Sequence, residues 1–544
     1  MPAVTGIYVA SRNGTIGPKR IDRGHWETRM SQDFDADVAI IGYGPSGVIA
    51  GLTLGRQGAS VVAFERDRDM YPRARAVTIN DWTMRVFQSL GIDERIDKVI
   101  EPVRVLRWAT YGGEEVMRVA QPPSTLGARS RDFSIYQPTM EAELRSAGAE
   151  YGDRLSVRYG VEVTGVDQDE TGVTITTTDP ETGHSRTCRT RYAIGADGGS
   201  SRTRGWIGAS LEGDTADTLW IVVDCVVRRW WPDRDVLTFW TDRKRPMVDI
   251  TLSGGNHRWE LPLMHGETKE DFPTAAEVWP LLEAIGITED DVDIHQYAFY
   301  RHHVRMADTW RSGRIFLVGD AAHLMPPWAG AGMQTGMRDA HNLGWKLGRV
   351  LSGALPDGWL DTYEVERRPN ATHYTNLAVQ LGRVIKQEAT QAELEAMNTV
   401  PEGLVTPHEP PLIAPPTLTA GWLRGEIADA SIIGRMVPQP IVGDTSGHII
   451  RLDDFLGDGF VLLGDDLDPA GLLTPEEKAG WDALGAHYVA VRPRNVHTQG
   501  RDELVDLGDV LRPWLQRYGS RAVAVRPDRF VAADDVHGLA APTC

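Results

Sequence analysis

The stretch that most constrains this chain is Asp37-Val38-Ala39-Ile40-Ile41 running directly into Gly42-Tyr43-Gly44-Pro45-Ser46-Gly47. The apolar run reads as a buried strand, and the glycines after it demand a tight turn. Val48 to Leu54 then reads as a helix closed by Gly58, and Ser60 to Phe64 as a second strand ending in Glu65. Strand, glycine turn, helix, strand and acid in this order form the fingerprint of a dinucleotide-binding unit. Gly42 permits the turn, Gly44 lets the backbone approach a pyrophosphate, and Gly47 lets helix and strand pack closely. Pro45 and Ser46 complete the loop at a helix N-terminus, which favours phosphate. Glu65 is placed to bind a ribose hydroxyl, with Arg66 beside it as a further cofactor candidate.

At 544 residues the chain is too long for one ordinary core, so two or three domains are expected. Its formal net charge of −19 argues against a nucleic-acid partner, because phosphate backbones want a basic face. Cys188, Cys225 and Cys544 are far apart and lack metal spacing, so a disulfide framework is not expected and a reducing cytoplasm fits. No apolar segment approaches the roughly 18 residues needed to span a bilayer. The first 30 or so residues are polar and Arg/Gly-rich, without the apolar core of a signal peptide. Met30 directly precedes the first strand pattern and is expected to be the natural start, with residues 1–33 a disordered extension.

Two later motifs extend the first. Tyr192-Ala193-Ile194 is a strand leading into Gly195-Ala196-Asp197-Gly198-Gly199-Ser200-Ser201-Arg202-Thr203-Arg204. Alone this is an Asp-Gly turn; behind a dinucleotide fingerprint it reads as a second cofactor element. Ile315 to Val318 leads into Gly319-Asp320-Ala321-Ala322-His323-Leu324-Met325-Pro326-Pro327-Trp328-Ala329-Gly330-Ala331-Gly332, and a helical pattern from about Met337 to Leu347 leads out. A strand-end acid, two prolines and two glycines describe a loop built for close approach to a flat group.

Between these motifs, Leu219–Val227, Asp235–Thr241, Val248–Leu252 and Arg258–Leu263 alternate as antiparallel strands and read as a sheet roofing a ligand. Val103–Thr110 reads as one strand and Phe272–Ala284 as a helix. Gln296–Val304 is expected to return, with Ile315–Val318, to the first sheet. The division that follows is a cofactor domain in three parts (34–105, 131–210, 306–400) interleaved with a substrate domain in two (106–130, 211–305). A Pro-rich linker (401–436) and a terminal domain (437–544) complete it.

The three motifs together resemble the single-component FAD-dependent aromatic hydroxylases, typified by para-hydroxybenzoate hydroxylase, over about residues 35 to 385. Trp220 to Asp224, Tyr71 to Ala74, Gly336 to Ala340 and the tail resemble the 3-(3-hydroxyphenyl)propionate hydroxylase and phenol hydroxylase-like group. The fold this implies is α/β plus β: a Rossmann-like FAD-binding domain, an interleaved antiparallel-sheet substrate domain, and a C-terminal thioredoxin-like domain. That last domain could have no Cys-x-x-Cys chemistry, since its one cysteine is Cys544. By the resemblance Glu65 binds the adenosine ribose, Asp320 the ribityl–pyrophosphate region, and Arg75 and Gln137 further parts of FAD. Asp197 serves FAD and NAD(P)H. Pro326 and Pro327 stand beside the flavin ring, and the backbone from Gly330 through Gly332 and Met333 to Gln334 donates N–H groups to it. Ala329, Ala331 and Gln334 depart from the group's usual residues, which puts substrate scope in doubt more than flavin binding.

The activity implied is hydroxylation of a phenolic substrate with O₂ and NADPH or NADH, through a flavin C4a-hydroperoxide; a homodimer is a further expectation. The protein must place the ring, exclude water and help ionise the phenol. Pro326 and Pro327 suit the first two tasks. His302 is a candidate for the third or a structural residue, and His323 reads as a packing or loop-fixing residue. Trp328 is a candidate pocket residue, as are Trp240 and Trp259, for which a core role stands equally. Arg243, Lys244, Arg245 and Arg258 could anchor an aromatic acid or be solvated. A Baeyer–Villiger-type or other flavin oxygenase, and a silent flavin-binding interaction protein, are the competing readings. Deleting residues 1–29 is expected to leave flavin content and NAD(P)H oxidation intact; loss of either in the truncated protein would disprove a start at Met30.

Overall fold

A computed structural model describes residues 34–179, 182–241, 245–385, 388, 417–498, 500 and 502–534. The expected extension over 1–33, residues 401–416 of the expected linker, Arg243, Lys244 and Cys544 lie outside the described residues. Ala36–Ile41 (β1) is buried except at Asp37 and sits mid-sheet. It pairs in parallel with Val61–Glu65 (β2) on one side and with Ser185–Gly195 (β3) on the other. Leu155–Tyr159 adds beyond β2 and Ile315–Leu317 beyond β3, both parallel. Strands covered on both faces read as apolar runs, which is why β1 and β2 show no alternation. Glu162–Gln168 and Val173–Thr178 form an antiparallel meander against β3.

Helix Pro45–Arg56 (α1) is buried over Gly47–Gly55 because helix Gly332–Leu351 (α2) crosses it closely. A side chain at Gly344 would stand 2.8 Å from Thr53, and one at Gly348 would stand 2.6 Å from Gln57. α2 is longer than its sequence pattern suggests, since it begins within the glycine-rich stretch and continues to Leu351. Helix Thr362–Ile385 (α3) packs beside it.

The second sheet has eight strands. At its centre Leu211–Val227 (β4) pairs antiparallel with Asn256–Pro262 (β6) and with Val292–Ala307 (β7). Met247–Leu252 (β5) follows beyond β6, then Leu237–Trp240, Val105–Ala109 and Glu115–Ala120. The expectation that Gln296–Val304 returns to the first sheet is corrected: the whole of β7 belongs to the second, held by its long ladder with β4. Val103–Thr110 splits between two sheets at Arg104, Ile100–Val103 joining a three-stranded sheet and Val105–Ala109 the eight-stranded one. Phe272–Ala284 is an α-helix only over Trp279–Glu283, whose first turn holds Pro280; Ala275–Glu277 before it is a separate short turn with its own capping box at Thr274.

The C-terminal unit carries a seven-stranded mixed sheet. Linker is the wrong description for residues 417–436, because Leu418, Ile432 and Ile433 are buried and the Leu418 N–H donates to the Gly434 carbonyl at 2.8 Å. Two fully buried ion networks tie this unit to the rest. Arg526 donates to both oxygens of Glu366 on α3 (2.8 and 2.6 Å), and Lys346 on α2 reaches the same carboxylate at 2.7 Å. Arg85 grips Asp453 through two bonds of 2.7 and 2.8 Å. Trp345 and Trp359 meet Phe460, Trp422 and Trp481 in one aromatic cluster.

Arg526→Ala leaves Glu366 to Lys346 alone and takes the guanidinium from the buried Asp528, and is expected to cost about 3 kcal/mol or more of unfolding free energy. Arg451→Ala, at the partly exposed Arg451–Asp93 pair, is expected to cost about 1 kcal/mol or less. Urea unfolding of the two variants checks the contrast.

Candidate active site

The glycine loop after β1 is closed tightly on two sides. Gly42 has φ +91°, and a Cβ there would lie 2.5 Å from the Ala196 carbonyl oxygen of the second motif. A Cβ at Gly47 would lie 2.2 Å from the Gly42 oxygen. Gly44, extended at φ −75°, faces open space: a Cβ there would meet nothing within 4 Å. Ser46 reaches the third motif, its hydroxyl standing where a side chain at Gly319 (2.5 Å) or Gly336 (2.4 Å) would be. Glu65, half-buried at the end of β2, accepts from the Tyr43 N–H at 2.8 Å and so closes the loop from the far strand. Arg66 next to it is exposed.

The second motif is held by Asp197, whose carboxylate accepts from Ser201, from the Thr203 N–H and from the Thr203 hydroxyl, capping the short helix Arg202–Trp206. Arg204 bridges to the third motif by donating to the Gly199 and Ala321 carbonyls. There Asp339 on α2, wholly buried, accepts from His323 Nε2 at 2.6 Å, from Arg367 Nε at 2.8 Å and from the Gly319 N–H. Burial alone would raise the Asp339 carboxyl, but His323 and Arg367 hold it below the usual carboxylate range. His323 is thus the loop-fixing residue expected. Asp320, one residue past Gly319, is exposed and makes no hydrogen bond or ion pair among the described residues.

Pro326, buried, and Pro327, half-buried, open a single turn over Pro327–Ala329 that ends at Gly330 with φ +57°. Gly330 abuts Thr78, and α2 begins at Gly332 without any side-chain cap. Its first N–H groups therefore have no partner within the helix and lie beside the Pro-Pro turn. Met333 is half-buried here. The Gln334 side chain is spent inward: its oxygen accepts from the Asn80 N–H and the Thr83 hydroxyl, both at 2.8 Å, and its nitrogen donates to Gly330. Gln137 similarly works through a loop, accepting from the Arg75 and Ala76 N–H groups at 2.9 and 2.8 Å while the Arg75 side chain lies exposed over Tyr71.

Above this loop lies one face of the second sheet. Trp328 meets it edge-on, 4.4 Å from the Trp220 ring and 4.6 Å from His302. His302, buried, also stacks near Tyr300 at 4.9 Å. The same face carries Asp224, Arg258 and Glu260, which the sequence reading did not combine. Arg258 is clamped by Asp224 at 2.7 and 2.9 Å and donates to the Ala74 and Arg75 carbonyls. Tyr300 donates to Glu260 at 2.9 Å. Burial raises the Glu260 carboxyl above its usual range, against the pull of Arg258 and Tyr300. The signal that could have found this cluster is parity, since residues 220, 222 and 224 on β4 share a face with 258 and 260 on β6.

Parity also corrects two expectations. Trp259, fully buried, stacks on Trp231 and His257, and Trp240 donates to Asp249; both lie on the opposite face, in the core beneath Trp279–Glu283. Arg258 is no free anchor, and Arg245 is engaged by Glu267 and the Pro262 carbonyl.

The FAD binding domain family matches residues 35–395, and the HcaD C-terminal domain family matches 434–541. The chain is 32% identical to 3-(3-hydroxy-phenyl)propionate/3-hydroxycinnamic acid hydroxylase 1 of Burkholderia vietnamiensis, over 96% of this chain and 92% of that one. It is also 32% identical to the corresponding hydroxylase of Comamonas testosteroni, over 93% and 95%. Among solved structures it resembles aklavinone-11 hydroxylase in complex with FAD and aklavinone (TM-score 0.76, 22% identity, 94% of this chain and 97% of that one). It likewise resembles the flavin-dependent monooxygenase PieE (TM-score 0.74, 23% identity, 93% and 97%). The chain belongs to the family of FAD-dependent aromatic hydroxylases. FAD is its cofactor, with NAD(P)H the reductant typical of the family. No helix among the described residues is long and apolar enough to cross a membrane.

The residues present fit FAD. Of the loop's three glycines, Gly42 and Gly47 leave no space for a Cβ, whereas Gly44 faces open space with room for a pyrophosphate. Gly44→Ala is therefore expected to leave the melting temperature of the apoprotein unchanged while weakening FAD binding by about tenfold or more. Gly47→Ala is expected to lower the apoprotein's melting temperature. Calorimetry and flavin-fluorescence titration of both variants measure the difference.

Proposed function

We propose that this enzyme hydroxylates a phenolic ring held between the Pro326–Trp328 turn and the face of the second sheet that bears Trp220, Tyr300 and His302. The observation that carries the reading is the edge-on contact of Trp328 with Trp220 and His302, which joins the loop following Asp320 to the sheet above it. In this reading Gly42, Gly44, Pro45, Ser46 and Gly47 hold the pyrophosphate, and Glu65 and Arg66 face the adenosine ribose. Asp320, exposed and without a partner among the described residues, meets the ribityl–pyrophosphate region. The uncapped N-terminus of α2, from Gly332 through Met333 to Gln334, offers N–H groups and positive dipole to the flavin ring. Pro326 and Pro327 flank that ring, lacking N–H donors of their own and leaving carbonyls to accept.

Bound FAD, reduced by NAD(P)H, supplies the activation of O₂. The chain's own residues position and exclude. Arg75 and Gln137 shape the loop at 71–77, Asp197 the second motif, and Trp328 and Trp220 keep water from the ring. His302 positions Trp328. We further propose that the C-terminal unit is thioredoxin-like: Val461–Asp465 and His487–Arg492 pair in parallel, and Ala522–Val525 and Val531–Ala533 add antiparallel strands. With no Cys-x-x-Cys in its sequence and two buried ion networks beneath it, its role is structural. Buried free thiols at Cys188 and Cys225 support a cytoplasmic setting.

Asp320→Ala is expected to lose FAD on purification. Trp328→Ala is expected to retain it while releasing peroxide in place of hydroxylated product. A flavin-free Trp328→Ala protein would refute this division of roles.

A further inference from the structure

The sheet face above the Pro-Pro turn carries an acid where an aromatic carboxylate would need a cation. Glu260 on β6 stands opposite Val222, and Tyr300 on β7 stands opposite Trp220, so the two share the face that Trp328 meets. The Tyr300 hydroxyl donates to Glu260 Oε2 at 2.9 Å. Arg258 is the cation on this face among the described residues, and it is turned away from any ligand. Its Nε and Nη2 lie on Asp224, its Nη1 and Nη2 donate to the Arg75 and Ala74 carbonyls, and it is 2% exposed. Gln296 completes the shell by donating to Asp224 at 2.7 Å. Asp224 and Glu260 share this one guanidinium, Glu260 Oε1 lying 3.6 Å from Arg258 Nη1, so the two carboxylates outnumber the cation. A substrate carboxylate brought here would meet a like charge in a water-poor space.

We infer that the site takes an uncharged hydroxylated aromatic, its ring hydroxyl received by the Tyr300–Glu260 pair, in place of the arylpropionate anion that names the relatives. The inference rests on the proposed location of the substrate between the Pro326–Trp328 turn and this sheet. Tyr300 is half-buried, and because its own proton is directed at Glu260, its oxygen is free to accept one from the substrate. When the substrate O–H gives its proton to the Tyr300 oxygen and the tyrosine's proton passes to Glu260, the phenol becomes a phenolate and the carboxylate a carboxylic acid. The total charge of the pocket is unchanged, whereas a substrate already carrying a carboxylate would concentrate a second anion beside the first.

The test titrates the FAD-loaded enzyme with 3-(3-hydroxyphenyl)propionate and with its methyl ester, reading the change in bound-flavin absorbance. The ester is expected to bind at least about tenfold more tightly than the acid. Glu260→Gln, which keeps size and removes charge, is expected to shrink that gap to about threefold or less. Tyr300→Phe is expected to keep the preference for ester over acid but to lose discrimination between the phenolic ester and methyl 3-phenylpropanoate. An acid that binds wild-type enzyme as tightly as the ester overturns the inference alone, and this comparison needs no variant. If none of the three ligands perturbs the flavin, the proposed substrate location falls and the inference falls with it.

Discussion

One buried carboxylate holds the catalytic half of the molecule in register. Asp339 leaves α2 with no solvent around it and takes bonds from His323, Arg367 and the Gly319 N–H. Those partners come from the loop beyond Ile315–Leu317 and from α3, so one side chain ties the start of the third motif to α2 and α3. An unpaired carboxylate at that depth would be costly, which makes the arrangement strongly determined. Asp320 presents its own carboxylate outward at a defined point because its neighbour Gly319 is pinned from behind.

Much of this was legible in the chain. The βαβ fingerprint and the strand-end acids are local patterns, and their turns need glycine for reasons that hold wherever they occur, as Gly42 and Gly47 illustrate. What the sequence hid was pairing at a distance. Nothing local in Asp339 distinguishes it from a solvated helix residue; His323 and Arg367 make it what it is. Trp240 and Trp259 were drawn toward the ligand by their composition, but the register of β4 with β6 turns Trp259 to the far face. The same register brings Glu260 to the near one. A two-residue period says that alternate residues diverge, and only tertiary packing says which set meets the cofactor domain.

The roof of the site is chemically divided. Near Trp328 it is aromatic, with the His302 ring lying against both Trp220 and Tyr300; toward the 71–77 loop it is ionic, with Arg258 bridging Asp224 to two carbonyls. The ionic part locks the second sheet to the 71–77 loop through backbone oxygens, whereas the aromatic part meets Trp328 of the Pro-Pro turn. Arginine suits the former task because its planar fork can serve a carboxylate and a carbonyl at the same time.

Ser46 sits where side chains at Gly319 and Gly336 would be, at the meeting of α1, the Asp320 turn and α2. These three pieces are widely separated in the chain, with an entire sheet synthesised between the first and the others. The proposed cradle for the cofactor's phosphates is therefore finished late, after a long loop has closed. A nascent chain that has completed its first βαβ unit holds only part of the cradle, and flavin cannot act as an early template for folding. Such dependence on distant contacts slows folding and lengthens the time for which β1 and α1 expose apolar surface. The yield of active enzyme should accordingly depend on protection of the growing chain before it depends on the supply of flavin.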